Sequence, residues 1–251
     1  NKNFNLMIEK LKNQQEKLII NERHEAWGSL ARKLAHEIKN PLTPIQLTID
    51  RLKSKYSNQL SEKDKSNFKE NLKIINNQIK QIEKLVNEFS DFARMPKPIF
   101  QKNNLAELII ENIKLLQELD TSINIKFQSN LPIIYLESDK EQLSRVFLNL
   151  IKNSIESIQQ QAQNDNNTNK TIDIELNDHD DHINLTIIDT GIGFENLKSN
   201  IKDIVNPYFT TKKNGTGLGL SIVNKIINDH NGNIEFISII DGAKIKIIFK
   251  K

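Results

Sequence analysis

Five of the chain's eight glycines, Gly191, Gly193, Gly215, Gly217 and Gly219, fall in one short stretch. Glycine lets a backbone turn left-handed or approach a ligand closely, so this is where unusual backbone is needed. Gly215-Thr216-Gly217-Leu218-Gly219-Leu220 stands where a helix opens. Glycines there let backbone N–H groups reach a phosphate, and the helix dipole favours the anion. The run is not a Walker loop, because no GxxxxGK is present. It is not the Rossmann fingerprint either. Its third glycine comes one residue early, and the preceding Tyr208-Phe209-Thr210-Thr211-Lys212-Lys213 is not a parallel-sheet strand. Taken alone, GxGxG often marks a mere turn.

Asp189-Thr190-Gly191-Ile192-Gly193 follows a strand pattern. A carboxylate at a strand end can accept a hydrogen bond from the exocyclic amine of adenine. Guanine presents a carbonyl at the equivalent position and would face it acceptor to acceptor. The simpler reading is an Asp-initiated turn. Asn149 and Asn153 lie one turn apart on an otherwise apolar helix, with Lys152 between them. Amide oxygens can ligate Mg²⁺ beside nucleotide phosphates, or can cap a neighbouring loop. His36 sits in His36-Glu37-Ile38-Lys39-Asn40-Pro41-Leu42-Thr43-Pro44. It is about 200° round the helix from Leu34 and points outward. Pro41 and Pro44 each delete a helix hydrogen bond, at about 3 kcal/mol apiece in an ordinary interior, so the helix is expected to bend there. His24, His179, His182 and His230 have no comparable setting and read as surface residues.

These groups need elements to hold them. Phe4, Leu11 and Leu18 recur every seven residues, a weak coiled-coil seam. From Trp27 a stronger stripe runs through Leu30, Leu34, Ile38, Leu42, Ile45, Ile49 and Leu52, one apolar helix face. Ser61 with Asp64 reads as an N-cap box. A second stripe follows at Phe68, Leu72, Ile75, Ile79, Ile82, Val86 and Phe89, ending before Pro96 and Pro98. Residues 1–95 therefore read as a helical hairpin with a long leading helix. One hairpin cannot cover two such stripes, but two hairpins can, as a four-helix bundle, so a homodimer is expected through this region. The alternative is a hairpin packed on its own second domain; the regular heptad spacing of the second helix favours the bundle. Residues 96–98 read as a linker.

Beyond it the period changes. Helices are expected over 104–119, from Asp139 to about 162, and over 216–230. Strands are expected at Ile123 to Phe127, Ile133 to Leu136, Ile172 to Leu176, Ile183 to Ile188, Ile234 to Ile239 and Ala243 to Phe249. The last two form a hairpin across Asp241-Gly242. Residues 99–251 are thus an α/β sandwich with a mainly antiparallel or mixed sheet, and 194–214 are irregular.

Composition closes off other classes. The 251 residues contain no cysteine, which removes disulfides, thiolate nucleophiles and Cys-ligated zinc. Lys plus Arg is 35 and Asp plus Glu 32, a net charge of only +3 with the signs interspersed, which argues against nucleic acid as a partner. No apolar run approaches the ~20 residues of a membrane helix. There is no signal peptide, and the chain starts in mid-helix by pattern, as a fragment would. Any membrane anchor is expected upstream.

Taken in order, these elements resemble the bacterial two-component sensor histidine kinases. His36 to Leu42 is similar to their phosphoacceptor box and Asn149 to Asn153 to their asparagine box. Asp189 to Gly193, Tyr208 to Lys212 and Gly215 to Gly219 are similar to the remaining ATP-site boxes. Ala26-Trp27, Leu34 to Leu47 and Phe92-Ala93-Arg94-Met95-Pro96-Lys97-Pro98 are similar to the nitrogen-regulation branch. The resemblance implies a dimerisation and phosphotransfer bundle at 1–95 and a Bergerat-type ATP-binding domain at 99–251. It implies ATP and Mg²⁺ as cofactors, with Asn153 on the metal and Asn149 and Lys152 near the phosphates. Asp189 would take the adenine amine. Gly191, Gly193, Thr210, Thr211, Lys212, Gly215, Thr216, Gly217, Leu218 and Gly219 would line the nucleotide, with 194–214 as a lid. It implies phosphorylation of His36, with Glu37 accepting a proton, and transfer to an Asp of a response regulator receiver domain. Asn40 would serve regulator dephosphorylation. The protein would be the cytoplasmic portion of an inner-membrane sensor. The alternatives are a Bergerat-type ATPase clamp and a dimeric scaffold without catalysis.

Overall fold

The computed structural model describes residues 33–56, 59–93, 95–118, 120–164, 169–194, 201–212 and 215–251. The seam at Phe4, Leu11 and Leu18, with Ala26 and Trp27, lies outside the described residues. The chain divides into two units between Pro96 and Lys97.

The first unit holds two helices, α1 (33–56) and α2 (Glu62–Ala93). The Ser61 hydroxyl accepts the Asp64 N–H at 3.3 Å and donates to the Asp64 carboxylate at 2.5 Å, so the expected N-cap box closes on itself. Ala35, Leu42 and Ile49 on α1, and Leu72, Ile79 and Val86 on α2, recur at sevens and are buried. Leu42, Ile49, Leu72 and Ile79 form the hairpin's core, with Phe68 packed against it. Leu34, Ile38, Ile45 and Leu52 on α1, with Ile75 and Ile82 on α2, stay exposed. The apolar stripes are wider than one partner helix can cover. Helix α1 passes Pro41 and Pro44 without a break. The prolines leave the carbonyls of Glu37 and Asn40 without their i+4 N–H donors. Nearby hydroxyls turn back onto the backbone, Thr48 to the Pro44 carbonyl at 2.8 Å and Thr43 to that of Lys39 at 3.4 Å.

The second unit is a helical layer on a five-stranded sheet. Its elements are β1 (Gln101–Asn104), α3 (Leu105–Gln117), β2 (Asn124–Ser129), β3 (Tyr135–Ser138), α4 (Lys140–Asn164), β4 (Thr171–Asp178) and β5 (His182–Asp189). A 3₁₀ turn (Ile201–Val205), α5 (Gly219–Asp229), β6 (Gly232–Ile239) and β7 (Gly242–Lys250) follow. The sheet order is β2-β4-β5-β7-β6. Only β2 and β4 run parallel; the other pairs are antiparallel. The register sets Phe127, Ile174, Ile187, Ile245 and Phe236 side by side across all five strands. Such rows alternate with polar ones, as period-two strands require when one face is covered. The covering layer presents Leu143, Val146, Phe147, Leu150, Ile151 and Ile158 from α4, with Val223, Ile226 and Ile227 from α5, all buried.

Three local expectations need correction. Strand β1 pairs antiparallel with β3 as a separate two-stranded sheet, although Gln101-Lys102-Asn103-Asn104 carries no apolar alternation. The β6–β7 turn is centred on Ile240-Asp241, because Ile239 pairs with Gly242 and Asp241 carries the positive φ of 59°. His230 is not a surface residue but 5% exposed. Its Nε2 accepts the Asp139 N–H at 3.0 Å, so its Nδ1 carries the proton and donates to the Ile226 carbonyl at 2.8 Å. Asp139 in turn caps α4 through the Gln142 N–H at 3.0 Å and accepts the Ile99 N–H at 2.8 Å. The end of α5, the start of α4 and the segment before β1 are thereby tied at one point.

Candidate functional site

Asp189 ends β5 in a row shared with Ile125, Ile172, Ala243 and Ser238. That parity turns its carboxylate into the layer between sheet and helices, where it is 3% exposed. A buried carboxylate must find donors. Oδ2 accepts from the Ser154 hydroxyl of α4 at 2.8 Å, and Oδ1 accepts from the Gly191 N–H at 3.0 Å. Burial pushes the carboxyl pKa above its ordinary value. Ser154, the backbone amides of Gly191 and Ala243, and the charge of Lys212 pull the other way without cancelling it. One turn further along α4, Ser157 Oγ accepts the Ile192 N–H at 3.1 Å. A Cβ on Gly191 would lie 2.1 Å from that oxygen, so glycine is what lets the turn lie on the helix. Gly242 is just as constrained: a Cβ there would lie 1.9 Å from the Asp189 carbonyl oxygen, and its own carbonyl lies against Gly193.

The asparagine pair lies half-buried on the same helix. Asn149 donates back to the Arg145 carbonyl at 2.8 Å, which leaves its Oδ1 facing Gly219, the first residue of α5. Asn153 Oδ1 accepts from the Lys212 ammonium at 3.3 Å, and the same ammonium pairs with Glu156. Asn149, Asn153 and Glu156, spaced by four and three, form one stripe of oxygen acceptors on α4. Two of them already hold a cation in the form of Lys212. Oxygen donors of this kind are what Mg²⁺ takes, so the residues fit the ion that the sequence implies. Among the described residues no cluster of three or more His, Cys, Asp or Glu could hold a metal. Lys152 is exposed and makes no hydrogen bond or ion pair among the described residues, so the structure does not join it to the asparagines.

The glycine-rich turn closes over this stripe. Gly217 has φ +70°, and a Cβ on it would strike the Tyr208 backbone at 2.4 Å. The Tyr208 N–H donates to the Gly217 carbonyl at 3.0 Å, which pins the turn to the segment before it. Thr210 Oγ1 accepts the Lys212 N–H at 3.1 Å and packs against Gly215, while Thr211 is exposed. Thr216 Oγ1 accepts the Leu218 N–H at 3.4 Å, and Leu218 is buried. The N-cap residue of α5, Leu218, makes no side-chain cap, and a helix N-terminus of this kind turns amides towards an anion. Residues 195–200 and 213–214 of the expected lid lie outside the described residues; 201–205 are a 3₁₀ turn.

In the hairpin unit, His36, Glu37 and Asn40 are all exposed. Sequence reasoning missed Ser154, Ser157, Glu156 and the role of Gly242. The spacing of Glu156 from Asn153 carried a signal; the serines gave none, because their partners are 35 residues away.

Residues 138–251 match the family of histidine kinase-, DNA gyrase B- and HSP90-like ATPases. Residues 26–98 match the His Kinase A (phospho-acceptor) domain. The chain belongs to the sensor histidine kinases. It is 38% identical over 232 residues to an NtrY-like sensor histidine kinase of Rickettsia felis, a match that covers 92% of this chain and 37% of the relative. The nitrogen regulation protein NtrY of Azorhizobium caulinodans is 36% identical over 219 residues, covering 87% of this kinase and 28% of that protein. The kinase thus spans well under half the length of these relatives. It is also similar to the crystal structure of the histidine kinase ThkA in complex with the response regulator protein TrrA. There the identity is 27% and the TM-score 0.63, covering 96% of this kinase and 67% of that chain.

Proposed function

We propose that this chain is the phosphotransfer and catalytic portion of a dimeric sensor kinase. It would bind ATP in the second unit, phosphorylate His36, and pass the phosphoryl group to an aspartate of a response regulator receiver domain. Residues 1–95 would dimerise and carry the phosphate, 96–98 would link, and 99–251 would hold the nucleotide. The observation that carries the reading is the joining in one chain of an exposed histidine on a partly covered hairpin with a cradle of Asp189, Asn149, Asn153 and the glycine-rich N-terminus of α5.

The chemistry asks little covalent help of the protein; positioning and charge dominate. Asp189 would accept the adenine amine. The amides opening α5, with Thr216 and Gly217, would hold the phosphates, and Lys212 would leave Asn153 for them. Asn153 would hold Mg²⁺, which neutralises phosphate charge when bound. A neutral ring nitrogen of His36 attacks the γ-phosphorus. A P–N bond forms, the bond to the β,γ-bridging oxygen breaks, and ADP leaves with those electrons. The proton on the other ring nitrogen goes to Glu37. The exposed stripe of Leu34, Ile38, Ile45, Leu52, Ile75 and Ile82 supports a homodimer. Anchoring to an inner membrane would fall to segments outside this chain. Among the described residues no helix is long and apolar enough to cross a membrane.

Incubation with γ-labelled ATP tests the reading. The kinase retains a label that acid releases and base does not, as a phosphoramidate requires. Hydrolysis without a retained label would make it an ATPase clamp, and neither label nor hydrolysis a scaffold.

A further inference from the structure

We infer that Ser154 is the positioning residue for purine selection: its hydroxyl fixes the Asp189 carboxylate in the orientation that accepts a 6-amino group. This rests on the reading of the second unit as an ATP site. Ser154 is 1% exposed and Asp189 3%, so the hydrogen bond between them is shielded from bulk solvent. A carboxylate on a single bond can swivel, and only anchoring both oxygens gives it a direction. Gly191 N–H anchors Oδ1 at 3.0 Å and Ser154 Oγ–H anchors Oδ2 at 2.8 Å. Each oxygen has room for about two hydrogen bonds, so acceptor capacity remains and now has a fixed direction. The anchor comes from a rigid place: Ser154 follows Asn153 on α4, whose neighbouring residues Ile151, Ile155 and Ile158 are buried. Ser157, one turn on, does a different job. It accepts the Ile192 N–H and so places the turn, without touching the carboxylate. The helix that carries the phosphate-side asparagines therefore also aims the base-side acceptor.

Removing the Ser154 hydroxyl takes away the side-chain donor to Oδ2 and leaves the carboxylate to the backbone amides of Gly191 and Ala243, towards which it turns. The loss falls on the contact with the 6-amine and not on the rest of the nucleotide. The test compares ATP with purine riboside triphosphate, which lacks only the amine, by calorimetry on the whole chain. The parent prefers ATP. Ser154→Ala weakens ATP by about tenfold, the worth of a hydrogen bond to a charged group, and leaves the amine-free analogue unchanged, so the preference collapses. Ser157→Ala weakens both nucleotides alike and keeps the preference. A Ser154→Ala protein that folds and retains the parental ratio overturns the inference, whatever happens to absolute affinity. A parent that binds neither nucleotide overturns the ATP-site reading itself. A parent that binds both equally removes the amine contact but leaves the kinase reading standing.

Discussion

The hairpin and the nucleotide domain solve the same problem in opposite ways. In the domain, one sheet face meets one helical layer, and two titratable groups that enter it are partnered: Asp189 by Ser154 and Gly191, His230 by Asp139 and Ile226. In the hairpin the buried apolar residues among those described are Ala35, Leu42, Ile49, Leu72, Ile79 and Val86, while Leu34, Ile38, Ile45 and Leu52 of the first stripe and Ile75 and Ile82 of the second face out. Among the described residues, the exposed side chain of its reactive candidate, His36, makes no hydrogen bond or ion pair. A binding site for a small charged ligand must be built beforehand, since each misplaced donor costs affinity. A nucleophile that must meet first a nucleotide and then another protein has to remain open.

The comparison breaks most sharply at His36. His36→Gln is expected to reduce acid-labile labelling to background while ATP affinity and oligomeric state stay parental. A retained label would mean that another residue accepts the phosphate. A loss of ATP affinity would mean that the two units do not work as separate parts.

The open stripe comes next. Ile75→Lys with Ile82→Lys places charge on the exposed α2 positions without touching the buried hairpin core. Each buried isoleucine is worth about 1.5–3 kcal/mol, and a symmetric dimer loses it twice. Dissociation is therefore expected to strengthen by a factor of about 10² or more, with ATP affinity unchanged. Sedimentation that finds the parent already monomeric sinks the dimer.

Asp189 sharpens the other side. Burial raises its carboxyl pKa, so the folded domain binds that proton more tightly than the unfolded chain. This contribution to stability grows as pH falls from the raised value towards the ordinary carboxylate range, and is lost as pH rises through the folded value. Near neutrality the ionised group costs stability, which ATP bound to it would recover. Asp189→Asn is expected to melt at or above the parent without ATP, by a margin that narrows on acidification, and to lose the ATP-induced rise in Tm. An unliganded variant that melts well below the parent would make Asp189 a structural residue.

Legibility in the sequence followed how local the cause was. The Ser61–Asp64 box, the heptads and the strand before Asp189 are patterns within a few residues, and the structure follows them. Strand β1 was invisible because Gln101 to Asn104 is polar and pairs only because β3 is there to receive it. His230 was misread because its partners come from the start of α4 and its own helix backbone. Gly242 looked like a turn glycine beside Asp241, yet what demands it is the Asp189 carbonyl of the neighbouring strand. The glycines and asparagines of the candidate site were legible as types; the serines that hold the Asp189 carboxylate and the turn after it were not.

The smallest expected effect concerns Asn40, where the hairpin's openness would have a second use. Asn40 stands one turn beyond His36, and both side chains are exposed. A neutral amide can hold a water through donor and acceptor without repelling a phosphoryl anion, which suits hydrolysis of a regulator's phospho-aspartate. Glu37 points about 100° away and carries charge, which suits proton acceptance in the forward reaction. Pro44 adds a local reason for a polar surface here, since it deprives the Asn40 carbonyl of its helical donor. The competing account is that Asn40 merely solvates the helix. The two separate in one assay, the decay of phosphorylated regulator with each variant present. Asn40→Ala is expected to keep autophosphorylation and to slow that decay by about tenfold, the worth of one water-orienting hydrogen bond. Glu37→Ala is expected to impair autophosphorylation chiefly. Decay as fast with Asn40→Ala as with the parent leaves the amide with solvation alone and confines the hairpin's chemistry to His36 and Glu37.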